Sequence, residues 1–344
     1  MEPESDLAAM AAAARATISD PARVSNVGED ANPRFELFHA NVSICAQKVR
    51  TTLNEKKLPY RSNTMVIMTL TVGGEIVPAE HYAPAYVRLR LRAGRDLNRS
   101  FVQGYTGSTS VEEEGFDPCV VPLLVDYGAG KVIADSAHIC RYLDAISNEP
   151  IRLMPQNADA REQVMRQMSI VDRLPSGALL YGSQPGVDRR PAFIKEMTRS
   201  GHANKIIVLE RLLKEHEDDP ELASAYRAKI AKESAGKAVN DDLDYQRGRH
   251  EIVNDLLKGL ERDLASAKGP YLVGDTFTLA DVLWGVNLIR IACLGLASMW
   301  DDLPRVALYV EALARRPALR QEAIKGSALF IKSAEQRLPD YLTA

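Results

Sequence analysis

Apolar and polar positions alternate through Phe35-Glu36-Leu37-Phe38-His39, the period of a half-buried strand. Asn41 to Ser43 break that pattern. Ala46, Val49 and Leu53 then recur at helical spacing over residues 44–57, and Pro59 is the stop. Tyr60 to Met68 is rich in β-formers and predicts a second strand. Residues 69–118 are less regular. Gly73-Gly74, a helix candidate from Tyr86 to Arg95 and a Ser/Thr/Gly stretch from Ser100 to Ser110 predict a long insertion around one helix. The apolar run Val120 to Asp126, the turn Gly128-Ala129-Gly130 and the run Lys131 to Ala134 predict a β-hairpin. Asp135-Ser136 opens a helix to Ile146, so the order is β-α-β-α-β-β-α.

Residues 147–157 are polar, carry Pro150 and Pro155, and read as a linker. Beyond them the pattern is helical only, over 158–181, 191–216, 221–237, 241–267, 278–296 and 304–316. Thr278-Leu279-Ala280-Asp281 is an acidic capping box, with Phe277 and Val282 placed to staple the helix start. Residues 1–33 are Ala-rich and then loop-like, and predict a flexible extension with one short helix. The reading is an α/β domain over 34–148, built on a mixed four-stranded sheet with an insertion near 69–118. An all-α domain follows over 158–335.

Composition narrows the function classes. A chain of 344 residues suits two domains. A formal net charge of −3 argues against a nucleic-acid partner, and 6% aromatics against a stacking platform for bases. The cysteines Cys45, Cys119, Cys140 and Cys293 form no C-x-x-C pair, so reduced thiols in a cytoplasmic setting are expected, without a disulfide framework or structural zinc. The start, Met1-Glu2-Pro3-Glu4, is acidic where a signal peptide is basic, and no apolar stretch predicts a membrane span.

Three places can carry chemistry. Pro122 interrupts an apolar strand, so it sits at a sheet edge or in a cis bond that turns the backbone of Val121 outward. Asp135-Ser136 is either a plain helix cap or a cradle for a ligand bearing a carboxylate and an ammonium group. Cys45, near a helix start with Ser43 two residues before it and Lys48 and Arg50 close in sequence, is either a small buried hydrophobe or a thiol activated by the helix dipole and nearby cations. The other three cysteines read as packing residues. The histidines match no ligand spacing, so no metal is expected.

The segments Phe38 to Arg50, Val121 to Asp126, Ala134-Asp135-Ser136 and Gly274 to Asp281 occur in one order. In that order the chain resembles the cytosolic glutathione transferase superfamily. The resemblance implies a thioredoxin-like N-terminal domain and a helical C-terminal domain. It also implies a cis Pro122, Val121 pairing with the cysteinyl part of glutathione, and Asp135 and Ser136 holding its γ-glutamyl end. A narrower set of segments is similar to the glutathione-dependent reductive dehalogenases of chlorinated hydroquinones. These are Ser43-Ile44-Cys45, Tyr86 to Arg92, Gly115 to Pro118, Tyr181-Gly182 and Asp188 to Pro191. That similarity implies glutathione as co-substrate, Ser43 and Cys45 as catalytic residues, and Tyr181 and Arg189 beside a halogenated aromatic substrate. It implies a homodimer as well. Locally, Tyr181-Gly182 also reads as a helix end and Arg189-Arg190 as a solvated pair. A glutathione-dependent isomerase or thioltransferase and a non-catalytic binding module stay open as alternatives.

Overall fold

A computed structural model describes residues 3–147, 151–334 and 337–343. The expected boundaries at 148 and 335, and the linker's Pro150, lie outside the described residues. The N-terminal part runs α1 (Pro3–Arg15), β1 (Val24–Val27), β2 (Phe35–His39), α2 (Ile44–Glu55), β3 (Tyr60–Thr64), β4 (Leu70–Val72), β5 (Glu75–Val77), α3 (Pro84–Leu97), α4 (Val111–Glu114), β6 (Leu123–Asp126), β7 (Lys131–Ala134) and α5 (Ser136–Ile146). β1, β3, β2, β6 and β7 form one sheet in that order. The β2–β3 pair is parallel and the other pairs are antiparallel.

The four expected strands are present, and β1 adds a fifth at the edge. The extension expected to be flexible is instead packed. Leu7, Ala11, Ala14 and Ile18 are buried, and α1 lies against α3. Their spacing is that of a helical stripe, and half of it is alanine, which carries little hydrophobic contrast. Arg15 Nη1 donates to Glu36 Oε1 at 2.6 Å, tying α1 to the central strand.

β2 is buried along its whole length, where alternation predicted a half-buried strand. Leu37 joins α2 and α5 on one face, and Phe38 joins α3 on the other. Its polar members are paired. Asn63 and Tyr127 also donate to Glu36, and His39 Nε2 lies 2.7 Å from Ser62 Oγ. The insertion carries more than one helix. Gly73 and Gly74, at φ 59° and 88°, turn the β4–β5 hairpin, and α3 and α4 follow.

The C-terminal part comprises α6 (Ala158–Asp172), α7 (Ser176–Tyr181), α8 (Ala192–Glu215), α9 (Pro220–Val239), α10 (Leu243–Ser266), α11 (Leu279–Cys293) and α12 (Pro304–Ala314), with short helical turns to Thr343. The single helix predicted over 158–181 is broken at Arg173–Pro175, because Pro175 cannot continue it. α11 is buried at every position, and both capping-box bonds of Thr278 and Asp281 form. The α8–α9 hairpin leans onto α3, and Tyr226 donates to Tyr82 O at 2.8 Å. Arg50 Nε to Glu322 Oε2, at 2.8 Å, ties the two parts across their seam. Among the described residues no helix is long and apolar enough to cross a membrane.

Candidate active site

The site begins at the turn into α2. Ser43 is the N-cap, and its Oγ accepts from Ala46 N at 3.3 Å. Cys45 is therefore in the first turn, beside the unpaired N–H groups and the positive dipole end of the helix. Its side chain is half-buried and lines a cleft between the two parts of the molecule. Of the two cations close in sequence, Arg50 is turned away, to Glu322 and to the carbonyls of Ala40 and Asn41. Arg290 of α11 shares the cleft with Cys45, and so do Arg90, Lys205, Lys229 and Lys232.

The Val121-Pro122 turn, whose peptide bond is cis, lines the same cleft as Cys45. The Arg-rich helix α3 holds this turn from behind. Tyr86 OH donates to Val120 O at 2.7 Å, Arg90 Nη1 to Pro122 O at 2.7 Å, and Arg90 Nε to Asp117 O at 2.8 Å. Asp135, at φ 71°, caps α5 through His138 N at 2.9 Å. Ser136 is the first residue of that helix. Ser43, Cys45, Val121, Pro122, Asp135, Ser136 and Tyr181 all line the same cleft. Close to its Asp135 end, burial pushes the Asp172 carboxyl up to about 6, and the charge on Asp135 adds to the rise.

Arg189 does not reach the cleft. It is exposed, and its Nη1 donates to Ser298 Oγ at 3.4 Å over a separate shallow depression. The buried member of the pair is Arg190, which binds Asp188 and donates from Nη1 to Leu180 O at 3.1 Å. The other three cysteines are buried, and burial pushes their thiols up: Cys140 and Cys293 to about 12, and Cys119 further.

Beyond Tyr181 the cleft has a wall that local sequence reading missed. Lys205 Nζ lies 4.3 Å over the Tyr181 ring, and the His202 ring is 5.1 Å from it. Glu233 Oε2 lies 2.7 Å from His202 Nδ1 and 3.1 Å from Lys205 Nζ. Lys229 Nζ bridges Glu233 Oε1 at 3.0 Å and Asp117 Oδ2 at 2.8 Å. Burial alone would raise both carboxyls, but the lysines outweigh it and hold both below the usual carboxylate range. Arg290 is 4% exposed. Its Nη2 donates to Val42 O at 2.6 Å and its plane stacks 4.2 Å over Phe330. It has no carboxylate partner among the described residues, its Nε is unpaired, and burial draws it down to about 10.

Comparisons with known proteins identify the family. Residues 42–146 match the family model "Glutathione S-transferase, N-terminal domain", and residues 227–321 match "Glutathione S-transferase, C-terminal domain". The chain is 42% identical over 297 residues to the 2,5-dichlorohydroquinone reductive dechlorinase of Sphingobium indicum, covering 85% of this chain and 83% of that one. It is 24% identical over 287 residues to the tetrachloro-p-hydroquinone reductive dehalogenase of Sphingobium chlorophenolicum, covering 83% and 93%. A beta-etherase structure from Sphingobium sp. strain SYK-6 superposes with a TM-score of 0.53 at 18% identity, over 85% of this chain and 99% of that one, and shares the fold. The two domain matches and the 42% relative together place this chain in the glutathione S-transferase superfamily, as an enzyme of the reductive-dechlorinase type.

Proposed function

We propose that the enzyme carries out glutathione-dependent reductive dehalogenation of a chlorinated hydroquinone-type aromatic. The observation that carries this reading is a half-buried cysteine in the first turn of α2, two residues after a serine cap, in one cleft with the Val121-Pro122 turn and Asp135-Ser136. A simple transferase needs only to activate glutathione. A reductase also needs a thiol of its own to remove it again. The relatives' activity on chlorohydroquinones supports the ring assignment.

In this reading Val121 pairs through its backbone with the cysteinyl part of glutathione, and Asp135 and Ser136 hold the γ-glutamyl end. The Ser43 hydroxyl and the start of α2 favour the glutathione thiolate. The ring lies against Tyr181, with Arg290 toward a ring oxygen. The thiolate attacks the ring in its ketone tautomer, a C–S bond forms, and chloride leaves. Cys45 then attacks the glutathione sulfur. The ring takes a proton at carbon and departs, and Cys45 is left as a mixed disulfide. A second glutathione frees Cys45 by thiol–disulfide exchange. The balance is two glutathiones oxidised to one disulfide for each chlorine replaced by hydrogen.

The test is mass spectrometry and chloride measurement on 2,5-dichlorohydroquinone with glutathione, for wild type and Cys45→Ser. Wild type is expected to release chloride and yield chlorohydroquinone with one oxidised glutathione per chloride. Cys45→Ser is expected to stall at the glutathionyl-hydroquinone. Glutathione binding with no chloride release from either protein would instead favour another chlorinated ring or an isomerase substrate.

A further inference from the structure

The mechanism above leaves one cluster unused. His202 of α8 is 4% exposed and lines the cleft. Its Nδ1 lies 2.7 Å from Glu233 Oε2, and its Nε2 is buried without a partner. Glu233 is ionised, because Lys205 and Lys229 both bind it. A carboxylate at Nδ1 fixes the proton there and leaves the Nε2 lone pair free, the arrangement of an oriented general base. A second buried group without a partner comes from the loop between α3 and α4: the hydroxyl of Tyr105, a residue that lines the same cleft. The two rings meet edge-on at 6.2 Å. Space is kept beside them by Gly236 of α9. A β-carbon there would stand 2.9 Å from His202 Cε1 and 3.3 Å from Tyr105 Cδ2. Buried polar atoms are nearly always satisfied. Two orphans on one cleft, beside the Tyr181 ring, fit a ligand that brings an oxygen able both to donate and to accept.

We propose that His202, oriented by Glu233, is the proton shuttle that converts the bound hydroquinone into its ketone tautomer, with the Tyr105 hydroxyl donating to the oxygen that becomes the carbonyl. This rests on the function proposed above. A hydroquinone ring is electron-rich and resists a thiolate, whereas its ketone tautomer is an electrophile. Nε2 takes the O–H proton and returns it to a ring carbon, so the imidazole ends as it began and no other reactant is consumed. Glu233 is a positioning residue, since it acts only through the imidazole.

The experiment splits turnover into a step that involves the ring and one that does not. Chloride release from 2,5-dichlorohydroquinone and glutathione reads the first. Release of Cys45 from a mixed disulfide, preparable with oxidised glutathione and followed by mass spectrometry, reads the second. His202→Gln keeps an amide able to donate to Glu233. It is expected to slow chloride release by about 10²–10³-fold, the usual loss of a general acid–base group, and to leave the disulfide step within about threefold of wild type. Tyr105→Phe removes an oxygen that has no protein partner, so it leaves folding intact. It is expected to slow chloride release about tenfold, the loss of one hydrogen bond of ordinary strength. Chloride release near the wild-type rate in His202→Gln, or an equal fall of both steps, overturns the proposal. If wild type releases no chloride, the reading of function fails first and takes this proposal with it.

Discussion

Lys229 offers a demanding test of the cleft's charge arrangement. It is 4% exposed, with its Nζ at 2.8 Å from Asp117 and 3.0 Å from Glu233. Lys229→Met keeps most of the volume and removes the charge. Asp117 then retains Lys232 at 3.4 Å, and Glu233 retains Lys205 and His202. Breaking a buried pair by removing one partner costs about 3–5 kcal/mol, because a buried charge is left uncompensated. At about 2 °C per kcal/mol for a chain of this size, the melting temperature should fall by roughly 6–10 °C at pH 7. The sign with pH follows from the wild-type shifts. Both carboxyls titrate below their ordinary range in the folded state. Their contribution is therefore present above the unfolded pKa values and lost as pH falls. In the variant each carboxylate has one lysine fewer and takes up protons more easily, so the deficit against wild type should shrink as pH falls below the unfolded values, about 4. Thermal unfolding of both proteins at about pH 3 and at pH 7 reads this. A deficit under about 1 kcal/mol, or one equal at both pH values, would show that Lys229 does not neutralise this cluster.

Three further outcomes are expected. Asp172 is raised from 3.8 to about 6 by burial and by Asp135, so its ionisation lowers stability as pH rises through that window. Asp172→Asn should gain up to about 3 kcal/mol at pH 7 and nothing below pH 4 in urea unfolding, and a loss at pH 7 would contradict the assignment. Arg290→Gln should raise the KM for the chlorinated ring about 10–100-fold, the value of one charged hydrogen bond, while the KM for glutathione holds; steady-state kinetics with each substrate varied decides it. Leu7→Asp should cost more than about 3 kcal/mol by urea midpoint, because it puts a charge into the α1–α3 contact, whereas a loose N-terminal segment would tolerate it.

The N-terminal domain was legible because its signals are contiguous. Alternation in β2, helical spacing in α2, the Gly128 turn and the Asp135-Ser136 cap each lie within a few residues of chain. What escaped reading has a physical cause in each case. The stripe of Leu7, Ala11, Ala14 and Ile18 packs α1 firmly, but alanine adds so little contrast that the segment reads as loose. β1 has three exposed residues out of four and pairs along one edge only, so its side chains carry no burial pattern. Pro175 was visible, yet the apolar positions continue in phase on both sides of it, and periodicity alone carries a helix straight through.

The site divides along the same line. Ser43, Cys45, Val121-Pro122 and Asp135-Ser136 belong to short motifs, whereas Tyr105, His202, Glu233 and Arg290 come from a loop and three separate helices and look ordinary in their own neighbourhoods. On α9, Lys229, Glu233 and Gly236 repeat at helical spacing, a stripe that reads as solvated surface. In the folded chain it faces inward and is buried. Burying charge is expensive even when every partner is in place, and apolar side chains of the same shape would hold these helices together at least as well. Arg290 sharpens the point, since its guanidinium is buried without a carboxylate among the described residues. Such a set gains little as packing. Its placement becomes intelligible if the cleft closes around a polar aromatic ring whose oxygens supply what Arg290, Tyr105 and His202 lack. Binding of that ring would then add to the stability of the folded chain.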